Sequence, residues 1–331
     1  MSTTEDVSAE FTEIVEPYRR ELFAHCYRMM GSFHDAEDLA QETMLRAWRG
    51  YGAFAGASSV RTWLHRIATN TCLTALESRQ RRPLPTGLGA PSTSPDAELV
   101  ERDDILWLEP VPDSALGDAG DPGAIVEMRE TVRLAFIAAL QHLPARQRAV
   151  LVLRDVLQWR AAEVAETIGA TTATVNSLLQ RAREKMATVA PSAQDVVDPE
   201  SAETRELLRR YVEGFQNYDV DALVSMFTED AVWEMPPFEG WYQGAENIGA
   251  LIRGQCPAEA AGDMEMVRTS ANGQPAYGLY MRSEDGQHRA FQLQVLDLAP
   301  GGVRHVACFF DTTLFERFGL PPLLRAAGRT G

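Results

Sequence analysis

Apolar positions recur at helical spacing through the first eighty residues. Phe11, Ile14, Val15, Leu22, Phe23 and Cys26 mark one amphipathic stretch. Gly31-Ser32 interrupts it. Asp35 then opens a second helix whose early acids suit the positive end of the helix dipole. Leu39, Thr43, Leu45, Ala47 and Trp48 give that helix only a partial apolar stripe. A Gly/Ala/Ser loop follows over 50–59. A third helix is expected from Ser59 through Val60, Trp63, Leu64, Ile67, Ala68, Leu73 and Leu76, ending in a basic run that Pro83 stops. Residues 83–122 contain seven prolines among Gly, Ser and Asp, the composition of a spacer. Its apolar run Ile105-Leu106-Trp107-Leu108 suits either a staple onto a neighbouring domain or a docking element between domains.

The helical period returns over 123–190. Leu134, Phe136, Ile137, Leu140 and Leu143 form a stripe, and Pro144 punctuates it. Helices are expected over 145–157, 161–168 and 172–186, with Gly169 between the last two. Beyond residue 200 the pattern changes. Two helices, 203–215 and 220–227, precede short strand-like runs at 231–235, 277–281, 291–298 and 303–311. The last two flank Pro300-Gly301-Gly302, a hairpin signal. This is the pattern of an α+β domain.

Composition adds what the chain is not. Its 331 residues, 45% apolar and 24% charged, fit an ordinary multidomain globular protein. No apolar run reaches the length of a membrane span, and the acidic start MSTTEDVSAE lacks the apolar segment of a signal peptide. The four cysteines, Cys26, Cys72, Cys256 and Cys308, make neither a disulfide framework nor a zinc-ligand spacing, so no metal or other cofactor is expected and a reducing cytoplasm is the natural home. The net charge of −16 would argue against nucleic acid if it were uniform. It is not: residues 12–82 carry +2 and 128–190 carry +4, whereas 83–127 carry −9 and 191–331 carry −10. Two mildly basic blocks with acidic appendages suit a DNA-binding protein.

The sharpest local signal lies at 160–186. Ala165, Gly169 and Val175 have the spacing of a helix-turn-helix: a small residue for close approach, a glycine for a turn with positive φ, and a β-branched residue that seats the second helix. Thr171 or Thr172 can cap that second helix. Thr172, Thr174, Asn176, Ser177 and Gln180 come early on it and are expected at base edges. Arg181, Arg183 and Lys185 come late and suit phosphates.

Further motifs precede it. Tyr18-Arg19-Arg20-Glu21-Leu22, the run Asp35-Ala36-Glu37-Asp38-Leu39-Ala40-Gln41-Glu42-Thr43, Arg46-Ala47-Trp48, and Trp63-Leu64 with Ile67-Ala68 and Asn70 closely resemble region 2 of extracytoplasmic-function (ECF) sigma factors. Leu143-Pro144-Ala145 with Arg148, and the helix ending Arg181-Ala182-Arg183, resemble region 4. The order also fits: region 2, an acidic linker, region 4, and no region 3. The resemblance implies that Asp35, Glu37, Asp38, Leu39, Gln41 and Glu42 dock on the β′ clamp helices of core RNA polymerase, with the β flap as a further contact. It implies that Arg61, Trp63, His65, Arg66 and Asn70 melt and read the −10 promoter element, which requires a base to leave the stack. Trp63 also has the spacing of a core residue beside Leu64 and Ile67. The eight residues from Thr172 to Lys185 named above would read −35. Thr74 stands where many members carry Asp, and Asn176 and Leu178 where many carry Lys and Arg, so the promoter sequence is left open.

The C-terminal segment resembles SnoaL-like polyketide-cyclase domains, a cystatin-like cone in which a curved sheet is wrapped by helices around a cavity. The cues are Tyr211-Val212-Glu213-Gly214-Phe215, Phe227-Thr228-Glu229-Asp230-Ala231-Val232 and Met235-Pro236-Pro237-Phe238 with Gly240-Trp241-Tyr242. The expected organisation is therefore multidomain: all-α sigma region 2 (1–82), an acidic Pro-rich linker (83–122), an all-α helix-turn-helix region 4 (123–190) and an α+β SnoaL-like regulatory domain (200–331). Trp233, Phe238, Trp241 and Tyr242 are candidates for an apolar pocket, with Asp230, Glu234, His305 or Asp311 as its polar groups. No nucleophile–base spacing is visible, so the domain is expected to regulate, as inhibitor or as brace, rather than to catalyse. A small ligand of this domain is a possible partner.

Overall fold

The computed structural model describes residues 4–54, 56, 58–78, 80–117, 129–189, 197–198 and 201–324. It divides into two compact units. One comprises 1–82 with 108–191, and the other 83–107 with 192–331. Residues 118–122, at the end of the expected linker, and 123–128, at the start of the expected second helical region, lie outside the described residues.

The first unit is helical. Its first half contains α1 (Thr4–Val15), α2 (Arg19–Met30), α3 (Phe33–Gly50) and α4 (Val60–Leu76). Serines set the starts of two of them: Ser32 Oγ accepts the Asp35 amide and Ser59 Oγ accepts the Thr62 amide. Gly31 ends α2 with φ +69°, and a Cβ there would lie 2.8 Å from Gln141 Nε2, so both the turn and the packing require glycine. Leu22, Tyr27, Met29, Leu64, Ala68 and Cys72 fill the core between α2, α3 and α4. The second half begins with a short turn, α5 (Asp113–Leu116), and continues as α6 (Leu134–Leu140) and α7 (Ala145–Leu151). α7 runs on into a π-helical turn, Val152–Val156. Then come α8 (Ala161–Thr167) and α9 (Thr172–Val189).

The second unit is α+β. Helices α10 (Ala202–Gln216), α11 (Val220–Val224) and α12 (Ala245–Gln255) pack on one face of a seven-stranded sheet, and α13 (Leu314–Arg317) follows its last long strand. The strands are β1 (Phe227–Glu234), β2 (Trp241–Gln243), β3 (Met264–Ala271), β4 (Gln274–Arg282), β5 (His288–Ala299), β6 (Gly302–Phe309) and β7 (Leu323–Leu324). They run in the order β2-β1-β6-β5-β4-β3, with β7 added to β5. Among the described strands, only β1 and β6 pair in parallel. Tyr211, Phe215, Trp233, Leu251, Leu296 and Val306 belong to one core between helices and sheet.

Residues 83–107 have the composition of a spacer but are built into this second unit as a strap. The Ser92 amide donates to Trp241 O, the Arg102 amide to Pro237 O, and the Glu239 amide to Val100 O. Glu101 bridges Phe238 in antiparallel fashion, and Arg102 pairs with Glu239 at 2.7 Å. The Trp241 indole donates to Gly89 O, while Gln255 donates to Ala97 O. A proline-rich chain makes no regular structure of its own, so its backbone groups take partners from a neighbouring sheet edge. Of the apolar run 105–108, the Trp107 indole turns back onto Arg102 O within the strap, and Leu108 is buried in the first unit.

Candidate polymerase and nucleic-acid interface

Helix α3 carries the acids to which the resemblance gives a polymerase-docking role. Glu37, Asp38 and Gln41 are exposed on one side of it. Leu45, one turn further on, is 51% exposed, an apolar residue on the same face that sequence reasoning did not place in the site. Glu42 is half-buried and paired with Arg46 at 2.7 Å. Leu39 faces the core. Asp35 is turned from this face: it pairs with Arg82 at 3.0 Å, and both side chains are largely covered. Arg82 also reaches Glu109, 3.4 Å away. Glu109 in turn accepts from Ser32 Oγ and from the Phe33 amide at the helix start. The six residues thus divide into an exposed trio, a paired Glu42 at its rim, a buried Leu39, and an Asp35 that helps fix the helix end.

The α4 set divides too. Arg61 and Asn70 are exposed, but Arg61 donates to Glu21, whose carboxylate raises the guanidinium above its ordinary range. Trp63 is half-buried and stacks on Phe54 with ring centroids 4.6 Å apart, between the core and the solvent positions that its spacing allowed. His65 is turned inward. It is fully buried, with Nδ1 3.0 Å from Arg61 O and its ring edge-on to His25 and Trp159. Burial is the main reason its pKa falls below the usual imidazole range, against the opposing pull of Glu21. The expected DNA contact by His65 is therefore not available on this surface. Arg66 is half-buried and pairs with Glu166 of α8 at 2.9 Å.

Helices α8 and α9 form the helix-turn-helix. Gly169 makes the turn with φ +61°, the Ala170 amide returns to Ala165 O, and Val175 is buried against α8. Arg146 caps the end of α8 through Ile168 O. Thr171 is the cap of α9: its Oγ1 accepts the Thr174 amide. Val175, Leu179, Ala182 and Met186 are buried, whereas all eight expected −35 residues, Thr172, Thr174, Asn176, Ser177, Gln180, Arg181, Arg183 and Lys185, are exposed. Ser177, Gln180 and Arg181 lie opposite the buried stripe. Arg181 folds back on Ser177 Oγ at 3.0 Å, and Arg183 pairs with Asp155 at 2.6 Å. The two halves of the unit are tied by Arg148, buried between Met29 O, Gln141 Oε1 and Leu143 O. Its guanidinium is pushed down to about 10 by burial.

The second unit holds a cavity of ≈ 290 Å³. Trp233 and Phe238 line it, as expected. Tyr242 is in the core but not at the cavity, and Trp241 binds the strap. None of the four expected polar groups lines it. Asp230 is exposed on Thr228, Asp311 accepts from Thr313, and Glu234 pairs with His305 at 2.7 Å while accepting the Thr86 amide of the strap. Trp233 and Glu234 are neighbours on β1 and so point to opposite faces of the sheet. The polar groups at the cavity are Gln255 and Gln292 instead. Among the described residues there is no cluster of three His, Cys, Asp or Glu side chains that could hold a metal, and no helix is long and apolar enough to cross a membrane.

Residues 14–82 match sigma-70 region 2, 133–186 match sigma-70 region 4, and 208–299 match the SnoaL-like domain family. The chain is 63% identical over 316 residues to the ECF RNA polymerase sigma factor SigG of Mycobacterium tuberculosis, covering 95% of this chain and 85% of that protein. The chain belongs to the ECF sigma factors. Like other members, this sigma factor binds core RNA polymerase and promoter DNA and directs transcription initiation, and it carries a SnoaL-like domain behind its two sigma regions. The sigma factor SigJ of the same organism is 31% identical over 72% of this chain and 71% of its own length. The crystal structure of Mycobacterium tuberculosis SigJ shares the fold, with a TM-score of 0.61 and 22% identity, over 94% of this chain and all of that one.

Proposed function

We propose that this sigma factor docks on the β′ clamp helices through the exposed face of α3 formed by Glu37, Asp38, Gln41 and Leu45. The β flap is the further contact, made from the second sigma region. The observation that carries this reading is the acidic, exposed face itself, whose helix start is fixed by Ser32, Arg82 and Glu109. Docking of a charged face on a partner of opposite sign gains most when the face is held rigid.

Arg61, Trp63, Arg66 and Asn70 serve the −10 element, and α9 serves −35. Ser177 and Gln180 reach base edges, and Arg181 and Lys185 take phosphates. Arg66 and Arg183 act on DNA only after exchanging Glu166 and Asp155 for phosphate oxygens, so they contribute less per contact than a free cation. Initiation by such a factor takes place in the cytoplasm, where the polymerase works.

The SnoaL-like domain regulates without catalysing, and the strap is its lever. Only Leu108 separates Trp107, the last strap residue, from Glu109 at the start of α3. The strap is thus joined through one residue to the cap of α3, and its release is the proposed route by which the domain alters polymerase docking. The test is run-off transcription with the full chain carrying Trp241→Ala and Gln255→Ala, which remove side-chain anchors of the strap. The expected outcome is a several-fold change in output. Unchanged output, with strap amides shown by hydrogen exchange to be released, would contradict the reading.

A further inference from the structure

Three of the cations assigned to DNA are occupied by a carboxylate from another element. Arg183 of α9 pairs with Asp155, Nε to Oδ2 at 2.9 Å and Nη2 to Oδ1 at 2.6 Å. Arg66 of α4 pairs with Glu166 of α8 at 2.9 Å. Arg61 of α4 pairs with Glu21 of α2. Arg181, by contrast, donates to Ser177 on its own helix. Two other exposed pairs of the helical unit, Arg19 with Glu16 and Arg46 with Glu42, join residues three and four positions apart, which helix geometry brings together on any surface. The pairs at the DNA-facing arginines form only once the helices are packed.

Stability does not explain them. Each pair has at least one half-exposed partner: Arg183 at 59%, Glu166 at 65% and Arg61 at 48%. An ion pair in contact with water contributes little to folding. Its effect on DNA binding is larger, because each pair removes one cation from the set that phosphates would neutralise. Carboxylate and phosphate both accept a guanidinium fork through two oxygens, so Asp155 engages Arg183 as a phosphate would.

The backbone around Asp155 is built to hold it there. The π-helical turn Val152–Val156 widens the end of α7 and re-aims the side chains that follow, a device common at functional sites. Gln158 comes next with φ +56°, a conformation that costs free energy for a residue other than glycine. Its Nε2 donates to Asp155 O at 2.7 Å.

The pair of Arg66 with Glu166 joins the two sigma regions. The −10 and −35 elements are about 25 base pairs apart, roughly 85 Å of duplex. A helix-turn-helix whose longer helix has 18 residues, about 27 Å, cannot bridge that gap. Arg66 therefore parts from Glu166 when both elements are engaged.

We propose that Asp155, Glu166 and Glu21 are internal phosphate mimics, which hold these arginines in the free sigma factor and so keep it off duplex DNA of arbitrary sequence. A promoter displaces them because base contacts and separation of the two regions offset the exchange. The proposal rests on the assignment of Arg183, Arg66 and Arg61 to DNA.

The test is a double-mutant cycle on the full chain, read by fluorescence anisotropy with a short random-sequence duplex between about 50 and 200 mM salt. Asp155→Asn should tighten binding several-fold at the low-salt end and steepen the salt slope by about 0.9. Arg183→Ala should weaken binding less than about twofold while Asp155 is present, and roughly threefold to fivefold in the Asp155→Asn background. Arg181→Ala should weaken it equally in both backgrounds. Glu166→Gln with Arg66→Ala repeats the cycle at the other pair. Equal losses from Arg183→Ala in the two backgrounds would overturn the mask while leaving Arg183 at the DNA. No loss in either would overturn the DNA role of Arg183 and the mask with it. A background dependence as large for Arg181→Ala would reduce the effect to net charge and overturn the mask. So would the absence of binding by the chain carrying both Asp155→Asn and Glu166→Gln, or a melting temperature lowered by Asp155→Asn, which would make the pair structural.

Discussion

Glu109 holds the backbone amide of Phe33, with Oε2 3.0 Å from the nitrogen that begins α3. Its other oxygen faces Ser32 Oγ and Arg82, and its main chain closes on Gly31 O and the Tyr27 hydroxyl. A residue in the proline-rich stretch, 76 positions from Phe33, thus caps the helix that presents Glu37 and Asp38. Glu109→Ala should destabilise the helical unit by about 1–2 kcal/mol, the usual loss for a helix cap. Denaturant unfolding followed by exchange at the first amides of α3 measures it. Protection there equal to that of the unaltered chain would show that the cap is not needed.

The exposed face of α3 should bind through both charge and apolar contact. Leu45 is 51% exposed and lies outside the buried core, so Leu45→Ala should change stability little while affinity for core polymerase falls several-fold. Surface plasmon resonance against core enzyme checks this. An affinity that does not move would exclude Leu45 from the interface.

The recognition helix offers a contrast within one face. Arg181→Ala should weaken binding of −35 duplexes evenly across sequences and flatten the salt slope by about 1. Gln180→Ala should instead change which sequences are preferred. Fluorescence anisotropy at several salt concentrations separates the two. A change of preference on losing Arg181, with the salt slope intact, would refute its phosphate role.

Two buried histidines set a pH dependence. Burial is the largest cause holding both His25 and His65 below the ordinary imidazole range. The two rings meet edge-on, with Arg28 near both, Glu21 and Arg61 beside His65, and Thr69 on His25. In the unfolded chain each titrates near ~6.5, so below that pH the unfolded state takes up protons that the folded state refuses. Their contribution is complete above pH ~6.5 and is lost as pH falls toward the lower folded values. Exchange protection of α4, corrected for intrinsic rates, should therefore drop several-fold between about pH 7.5 and 5.5, and drop less in His25→Gln. Constant protection of α4 across that range would contradict the assignment.

Much of this molecule is legible in its residues. Ser32, Gly31 and the acids after Asp35 mark the start of α3; Gly169 and Val175 mark the helix-turn-helix; Pro300-Gly301-Gly302 marks the β5–β6 turn. These are local rules, in which a residue's own conformational preference decides the outcome. Three features are not local. His65 has the polarity of a surface residue, but its place in the α4 repeat beside Leu64 and Ala68 sends it inward. The strap has a spacer's composition, and its partners, Trp241 and Phe238 among them, lie more than a hundred residues away. Glu234 lies away from the cavity because a strand alternates, and Gln292 lines it beside Phe291 because a bulge undoes the alternation. Charge drew attention to Glu234, while the polar residues that line the cavity, Gln255 and Gln292, are amides that no motif marks.

The exposed acids of α3 are proposed to bring core polymerase to a promoter. Run-off transcription on a selected promoter pool tests it most directly, comparing the full chain with a variant carrying Glu37→Lys and Asp38→Lys. Both positions are exposed, so the variant should melt as the unaltered chain does. Promoter-specific transcripts are expected from the unaltered chain, and their loss from the variant. Transcripts of equal strength from both would contradict it.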